Sequence, residues 1–141
     1  MFSFTEKILS SRIILDLLLL IIYSVWVLQR LESTPAGEID FAVVMGFLAL
    51  GSVVVGVVVE KTLGVLSKKE TAEDVRDAEL RLRGNSMTLN YIVIVGSGII
   101  ITSFIVPDLF LLVHLVFYGG VGASIFNSAS RIYLSRFGVL A

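Results

Sequence analysis

Two ionisable side chains within the long apolar stretches of this sequence are candidates for chemistry, Asp16 and His114. A carboxylate at the centre of a helix in hydrocarbon costs about 2.5–3.5 kcal/mol on insertion scales. Asp16 must therefore find a cation, take a proton or lie near water. Arg12, one turn earlier, and Arg131, near the end of the chain, are the cations it can reach. If its helix enters the apolar phase near Ile13, Asp16 is interfacial and pairs with Arg12. If the helix enters near Ile8, Asp16 lies about 12 Å deep at the α-helical rise. It then needs Arg131 or a proton, because desolvation favours a neutral carboxyl. In that position it is a candidate for proton or cation coupling. His114 carries an imidazole, the group that ordinarily titrates near neutrality, and Tyr118 follows at i+4 on the same helical face. The plain role for so shallow a histidine is a hydrogen bond to water or to a neighbouring helix. A His–Asp contact with Asp40 or Asp108 stays open, whereas a relay would want a second histidine, and there is none.

Other chemistries lack their residues. The chain has no cysteine and one histidine, so thiolate chemistry is excluded and a histidine-based metal site is not expected. No Gly-x-Ser-x-Gly elbow, His-Glu-x-x-His pair or phosphate loop ending in Lys occurs. Glu73 and Asp74 are flanked by charges and face water, which suits structure better than acid–base work. The expectation is a protein that is not an enzyme, has no catalytic or metal-binding residues and needs no cofactor. Net charge is −1, so no field directs it to nucleic acid, and direct nucleic-acid binding is not expected.

The elements that must hold Asp16 and His114 follow from hydropathy. The chain is 56% hydrophobic over 141 residues, with mean hydropathy +0.94. That exceeds the roughly 45–50% apolar content of soluble domains and what one core of this size can hide. Four runs are long enough for the roughly 20 residues of a span: 8–28, 41–59, 89–106 and 109–133. Backbone amides in lipid need internal partners, so helices are expected even where Val dominates. The start of the chain superficially resembles a signal peptide, with Lys7 and Arg12 before an apolar run and Thr34-Pro35-Ala36 after it. The length of the run, and Arg30 and Glu32 behind it, point instead to an uncleaved anchor.

Charge sets the expected orientation. Ten of the eleven Lys and Arg residues fall before or in the first turns of the first run, between the second and third, or at the end of the fourth; only Arg30 falls elsewhere. Cytoplasmic segments keep Lys and Arg. The expected fold class is therefore an all-α membrane protein: four transmembrane helices in an antiparallel bundle, both termini cytoplasmic, in the cell membrane. The outer turn Pro107-Asp108 forces the third and fourth helices into a tight hairpin, with Asp108 as N-cap of the fourth.

Between the second and third runs lies the one sizeable water-facing segment. Thr71 to Asp74 fits a capping box, Gly84 is a plausible helix stop, and Asp77–Arg81 and Glu79–Arg83 are i,i+4 pairs with the acid first. A charged cytoplasmic helix is expected over about 71–83, either separate or continuous with the third span. Six bases and six acids from Glu60 to Thr88 make it balanced rather than polybasic, so lipid-headgroup attraction is not its natural role. It joins two spans, docks a partner or lies along the interface.

The stretch Asp74-Val75-Arg76-Asp77-Ala78-Glu79-Leu80-Arg81-Leu82-Arg83-Gly84-Asn85, followed by Tyr91, resembles the signature of a family of uncharacterised small prokaryotic integral membrane proteins. In that signature Asp-Glu-Arg-Asp precedes an acid, an aliphatic residue, Arg-Gly and a Tyr-bearing span. Asp74, Arg76, Asp77, Glu79, Arg83 and Gly84 match it. Val75 departs from it, and Asn90-Tyr91 stands where a Tyr-Tyr pair is common. The likeness covers about half the chain. It implies four helices, no established activity and a frequent genomic neighbour of the helix-turn-helix regulator type. On that implication the six matching residues are the candidate partner-binding set, with Gly84 setting the helix exit.

Small residues suggest how the helices pack. Ala42, Gly46, Ala49, Ser52 and Gly56 share one arc of the second run, and Gly119, Ala123 and Asn127 recur at i,i+4 beside Gly120 and Ser124 in the fourth. Without a hydrophobic drive between helices in lipid, close backbone approach matters. These positions are expected to pack within one bundle, form a homodimer seam or line a pore. Two functions are expected from the whole. The first is a non-enzymatic scaffold or regulatory partner that uses its charged cytoplasmic loop. The alternative is a small oligomeric transporter or channel with Asp16 as its intramembrane ionisable residue.

Overall fold

The computed structural model describes residues 4–35, 38–66 and 75–138, and no strand occurs among them. The helices are α1 (Phe4–Ser33), α2 (Phe41–Leu66), α3 (Val75–Ile105) and α4 (Leu109–Phe137). Stretches long and apolar enough to cross a membrane occupy Thr5–Ser33, Ala78–Ile105 and Leu109–Phe137, while α2 carries the shorter apolar stretch Val43–Val59. Length and composition mark a multi-pass membrane protein. Its surface agrees: Phe104 is 85% exposed and Phe47 73%, on faces far more apolar than soluble monomers carry.

α3 is longer than the hydrocarbon is thick. α3 has 31 residues, about 46 Å at the α-helical rise, against about 30 Å of hydrocarbon. Asp108 caps α4, its Oδ1 accepting from the Phe110 amide at 2.9 Å. At the other end the Gly138 amide donates to the Leu134 carbonyl at 2.9 Å.

The expected helix stop at Gly84 is corrected. α3 runs unbroken from Val75 through Gly84 to Ile105, so among the described residues the charged segment is the first part of α3 rather than a separate helix. Gly84 is buried, and an added Cβ would meet the aliphatic stem of Arg131. Its missing side chain serves close approach to α4, not a left-handed turn. One turn on, Thr88 Oγ1 donates back to the Gly84 carbonyl at 2.8 Å. Residues 71–74, including Asp74, lie outside the described residues.

The substantial helix interfaces are α3–α4, α1–α4 and α1–α2. α4 thus lies between α3 and α1, and its partners run in reverse order along it. On one flank Thr88 meets Asn127 and Tyr91 stacks on Phe126 with ring centroids 5.1 Å apart. On the other, Glu6 meets Ser135, Arg12 meets Ser124 and Tyr23 meets His114. The buried set is small and partly polar: Glu6, Thr88, His114, Ser128 and Ser130 join Leu9, Leu19, Tyr23, Val27 and Ala123. Asp16 stands seven residues from both Leu9 and Tyr23, a spacing that keeps all three on one side of α1. The helix therefore carries its carboxylate on its packing face.

Candidate functional site

A cleft of about 450 Å³ opens between α1, α2 and α4, and Asp16 lines it. Its walls are largely apolar, with Leu15 and Leu19 from α1, Val53 and Val57 from α2, and Val116 and Phe117 from α4, while Ser11, Arg12 and Ser124 supply a polar side. Asp16 is half-buried, and its Oδ2 is buried without a hydrogen bond. The expected pairing with Arg12 or Arg131 is not made; among the described residues the ion pairs are Arg83–Glu79 and Arg136–Glu6. Arg12 is exposed and donates from Nε to Ser124 Oγ at 3.3 Å. A long cationic side chain near an interface seeks water and nearby acceptors, and Ser124 offers one across the helix boundary. That leaves the carboxyl alone. Ser11, also in the wall, has its hydroxyl committed to the Ile8 carbonyl at 2.8 Å.

Glycines open the cleft. Gly56 on α2 and Gly120 on α4 line it, and an added Cβ at either would meet nothing within 4 Å. Gly119, one residue earlier, does the opposite work: its Cβ would come 2.9 Å from Val95 Cγ1 and 3.6 Å from Ile99 Cδ1 on α3. Successive residues turn by about 100° on a helix, so neighbouring glycines serve different faces. Gly119→Val is expected to destabilise by about 1–3 kcal/mol through overpacking, and Gly120→Val by no more than about 0.5 kcal/mol. Equilibrium unfolding of the two variants in one detergent separates them; equal losses would mean that Gly120 is a packing residue.

The assignment of small residues to packing is therefore split. Gly119, Ala123 and Asn127 face α3; Asn127 Nδ2 donates to Asn85 Oδ1 at 2.9 Å and to Thr88 Oγ1 at 3.0 Å. Gly120 and Ser124 face the cleft instead. Gly46 and Gly56 approach no other helix. The side chains of Ala42, Ala49 and Ser52 lie outside the described residues.

The second candidate, His114, sits in a cluster of rings between α1 and α4. Its Nδ1 lies 2.6 Å from the Phe110 carbonyl and its Nε2 3.0 Å from the Tyr23 hydroxyl. A carbonyl only accepts, so Nδ1 carries the proton. In the neutral ring Nε2 then accepts from Tyr23. Tyr23 is fully buried, with the Phe117 ring at 4.5 Å and the Trp26 ring at 6.2 Å. Tyr118, expected on the face of His114, bonds Ser24 at 2.8 Å, and its ring centroid stays 6.4 Å from the imidazole. No His114–Asp contact forms among the described residues; Asp108 is spent on its cap. Leu19, one turn from Tyr23 on the same face of α1, is buried between the levels of Asp16 and His114. The two candidates are separate sites.

Of the six candidate partner-binding residues, Glu79 and Arg83 form the expected i,i+4 pair at 2.8 Å, half exposed, an arrangement worth about 0.3–0.5 kcal/mol. Gly84 faces α4. Asp74 and the side chains of Arg76 and Asp77 lie outside the described residues. Tyr23, Glu6 and Ser124's bond to Arg12 were not singled out from the sequence. Glu6 is 7% exposed and accepts from Ser135 Oγ and Arg136 Nε, each at 3.0 Å, which ties the start of α1 to the end of α4. The seven-residue spacing through Leu9, Asp16 and Tyr23 is the one signal that could have placed Asp16 on a seam.

Compared with family models, with curated proteins and with solved structures, the chain matches none.

Proposed function

We propose that the protein is a small transporter that works as an oligomer, with Asp16 as its intramembrane ionisable residue. One observation carries this reading: a carboxyl with a buried oxygen that has no hydrogen bond, on a residue lining a largely apolar cleft among three helices. A carboxyl kept for structure comes with a partner that offsets its desolvation. Asp16 has none, although Arg12 stands one turn away. An unpartnered acid at such a place is suited to taking and releasing a proton or cation. The proposal includes four spans in an antiparallel bundle, both termini cytoplasmic, in the cell membrane. The exposed apolar face of α2, with Phe47, Leu50 and Val54, and the distribution of Lys and Arg support it. Wild type and Asp16→Asn, reconstituted in liposomes under an imposed potential, test it. Potential-driven proton uptake is expected in the wild type and leak-level uptake in the variant. Equal uptake in the two removes the reading.

The second reading is a non-enzymatic membrane scaffold, and Leu82 favours it. That leucine is 68% exposed between Arg81 and Arg83, in the charged first part of α3, where a cytoplasmic protein could cover it. A helix-turn-helix regulator, or a second copy of the chain, belongs to this reading. Leu82→Glu is expected to abolish recovery of such a partner from membranes while leaving Asp16-dependent uptake unchanged. If the substitution changes neither, the scaffold reading is lost.

A further inference from the structure

We infer that the Asp16 cleft binds an amphipathic organic cation, a hydrophobic amine or onium ion, with Asp16 as counter-charge and the valine, leucine and Phe117 walls around its apolar body. The inference rests on the reading of Asp16 as the working group and names what that group takes besides a proton.

Three observations carry it. The first is size: about 450 Å³ falls within the roughly 300–1,000 Å³ of small-molecule pockets. The second is the donor set. A bare inorganic cation replaces its water with about six oxygens. The cleft's side chains supply the Asp16 carboxyl and two serine hydroxyls, fewer oxygens than such a shell needs. An onium ion needs one opposite charge and apolar contact, and Phe117 adds an aromatic wall of the kind that attracts cations. The third is room made where side chains are absent. Gly56 and Gly120 face open space from opposite walls, so the volume belongs to the arrangement of the helices rather than to a single displaced side chain.

Arg12 sets the sign of the test. It lines the same cleft, forms no ion pair with Asp16 and is engaged with Ser124. If the occupant is a cation, Arg12 opposes it and Asp16 attracts it. If the occupant is an anion, the roles reverse. Tetraphenylphosphonium and tetraphenylborate share size and shape and differ in charge, so they are the probes. Binding is measured by titration calorimetry on the whole protein in lipid nanodiscs, with empty nanodiscs subtracted.

The wild type is expected to bind tetraphenylphosphonium saturably and at least about tenfold tighter than tetraphenylborate, a factor equal to one step of about 1.4 kcal/mol. Asp16→Asn is expected to weaken phosphonium binding at least about tenfold, and Arg12→Gln to strengthen it severalfold. Gly120→Val, which fills the cleft and leaves both charges in place, is expected to weaken it as well. Equal affinity for the two probes, or tighter borate binding that Arg12→Gln removes, overturns the inference. Absence of phosphonium binding by folded wild type does so too. Should Asp16-dependent proton uptake persist in that last case, the transporter reading stands without the organic cation; should both be absent, both fall.

Discussion

Replacing Asp16 with Asn or Leu is expected to make the protein more stable while abolishing the proposed potential-driven proton uptake. A buried polar group without a hydrogen bond costs about 1–3 kcal/mol, and intramembrane charge carries a penalty of similar size. Asp16 Oδ2 is such a group. Leucine at this position would continue the packing face set by Leu9, Leu19 and Tyr23, all buried. A gain of about 1–3 kcal/mol in detergent unfolding is expected for Asp16→Leu, and a smaller one for Asp16→Asn, which keeps a polar amide. Stability gained as activity is lost is the pattern of a site held against the preference of the fold. A destabilised Asp16→Leu protein would instead mean that the carboxyl holds the bundle together.

The second large effect belongs to Tyr23. Its ring is fully buried and touches the rings of Phe117 and His114, while its hydroxyl serves the His114 Nε2 at 3.0 Å. Tyr23→Ala is expected to cost about 3–5 kcal/mol, as for other buried aromatic truncations. In lipid that loss is one of packing more than of hydrophobic transfer. Tyr23→Phe keeps the ring and leaves a buried imidazole nitrogen without its donor, for about 1–3 kcal/mol. Because the chain has a single histidine, nitrogen-15 spectra of histidine-labelled protein read the tautomer directly. An Nδ1–H imidazole is expected in the wild type, with the Nε2 resonance displaced in Tyr23→Phe. An Nε2–H imidazole in the wild type would contradict the assignment, and equal stability of the Phe and Ala variants would remove Tyr23 from the core.

The helices themselves were legible because apolar runs and backbone satisfaction in lipid leave few alternatives. Local spacing was equally readable: Asp108 caps the helix it precedes, and Glu79 and Arg83 pair across one turn. What escaped were choices made by partners distant in the chain. Gly84 carries the same signal whether it ends a helix or admits a neighbour, and only Arg131 on α4 decides between them. Arg12 stood at the spacing to pair with Asp16, yet Ser124, 112 residues away, holds it. Gly119 and Gly120 are adjacent and identical in type; the facing helix makes one a packing residue and the other part of a cavity wall. The link between Tyr23 and His114 spans 91 residues and has no local mark at all.

With no cysteine in the chain, single-cysteine variants at positions 119 and 120, in sealed vesicles of known orientation, test the proposal that the cleft opens inside the bilayer toward the cytoplasm. Gly120→Cys is expected to react with a charged, membrane-impermeant thiol reagent from the cytoplasmic side only, and Gly119→Cys, facing Val95, from neither side. Reaction of the 120 variant from the outer side, or no difference between the two positions, would contradict the proposed water-reachable site at Asp16 within the membrane.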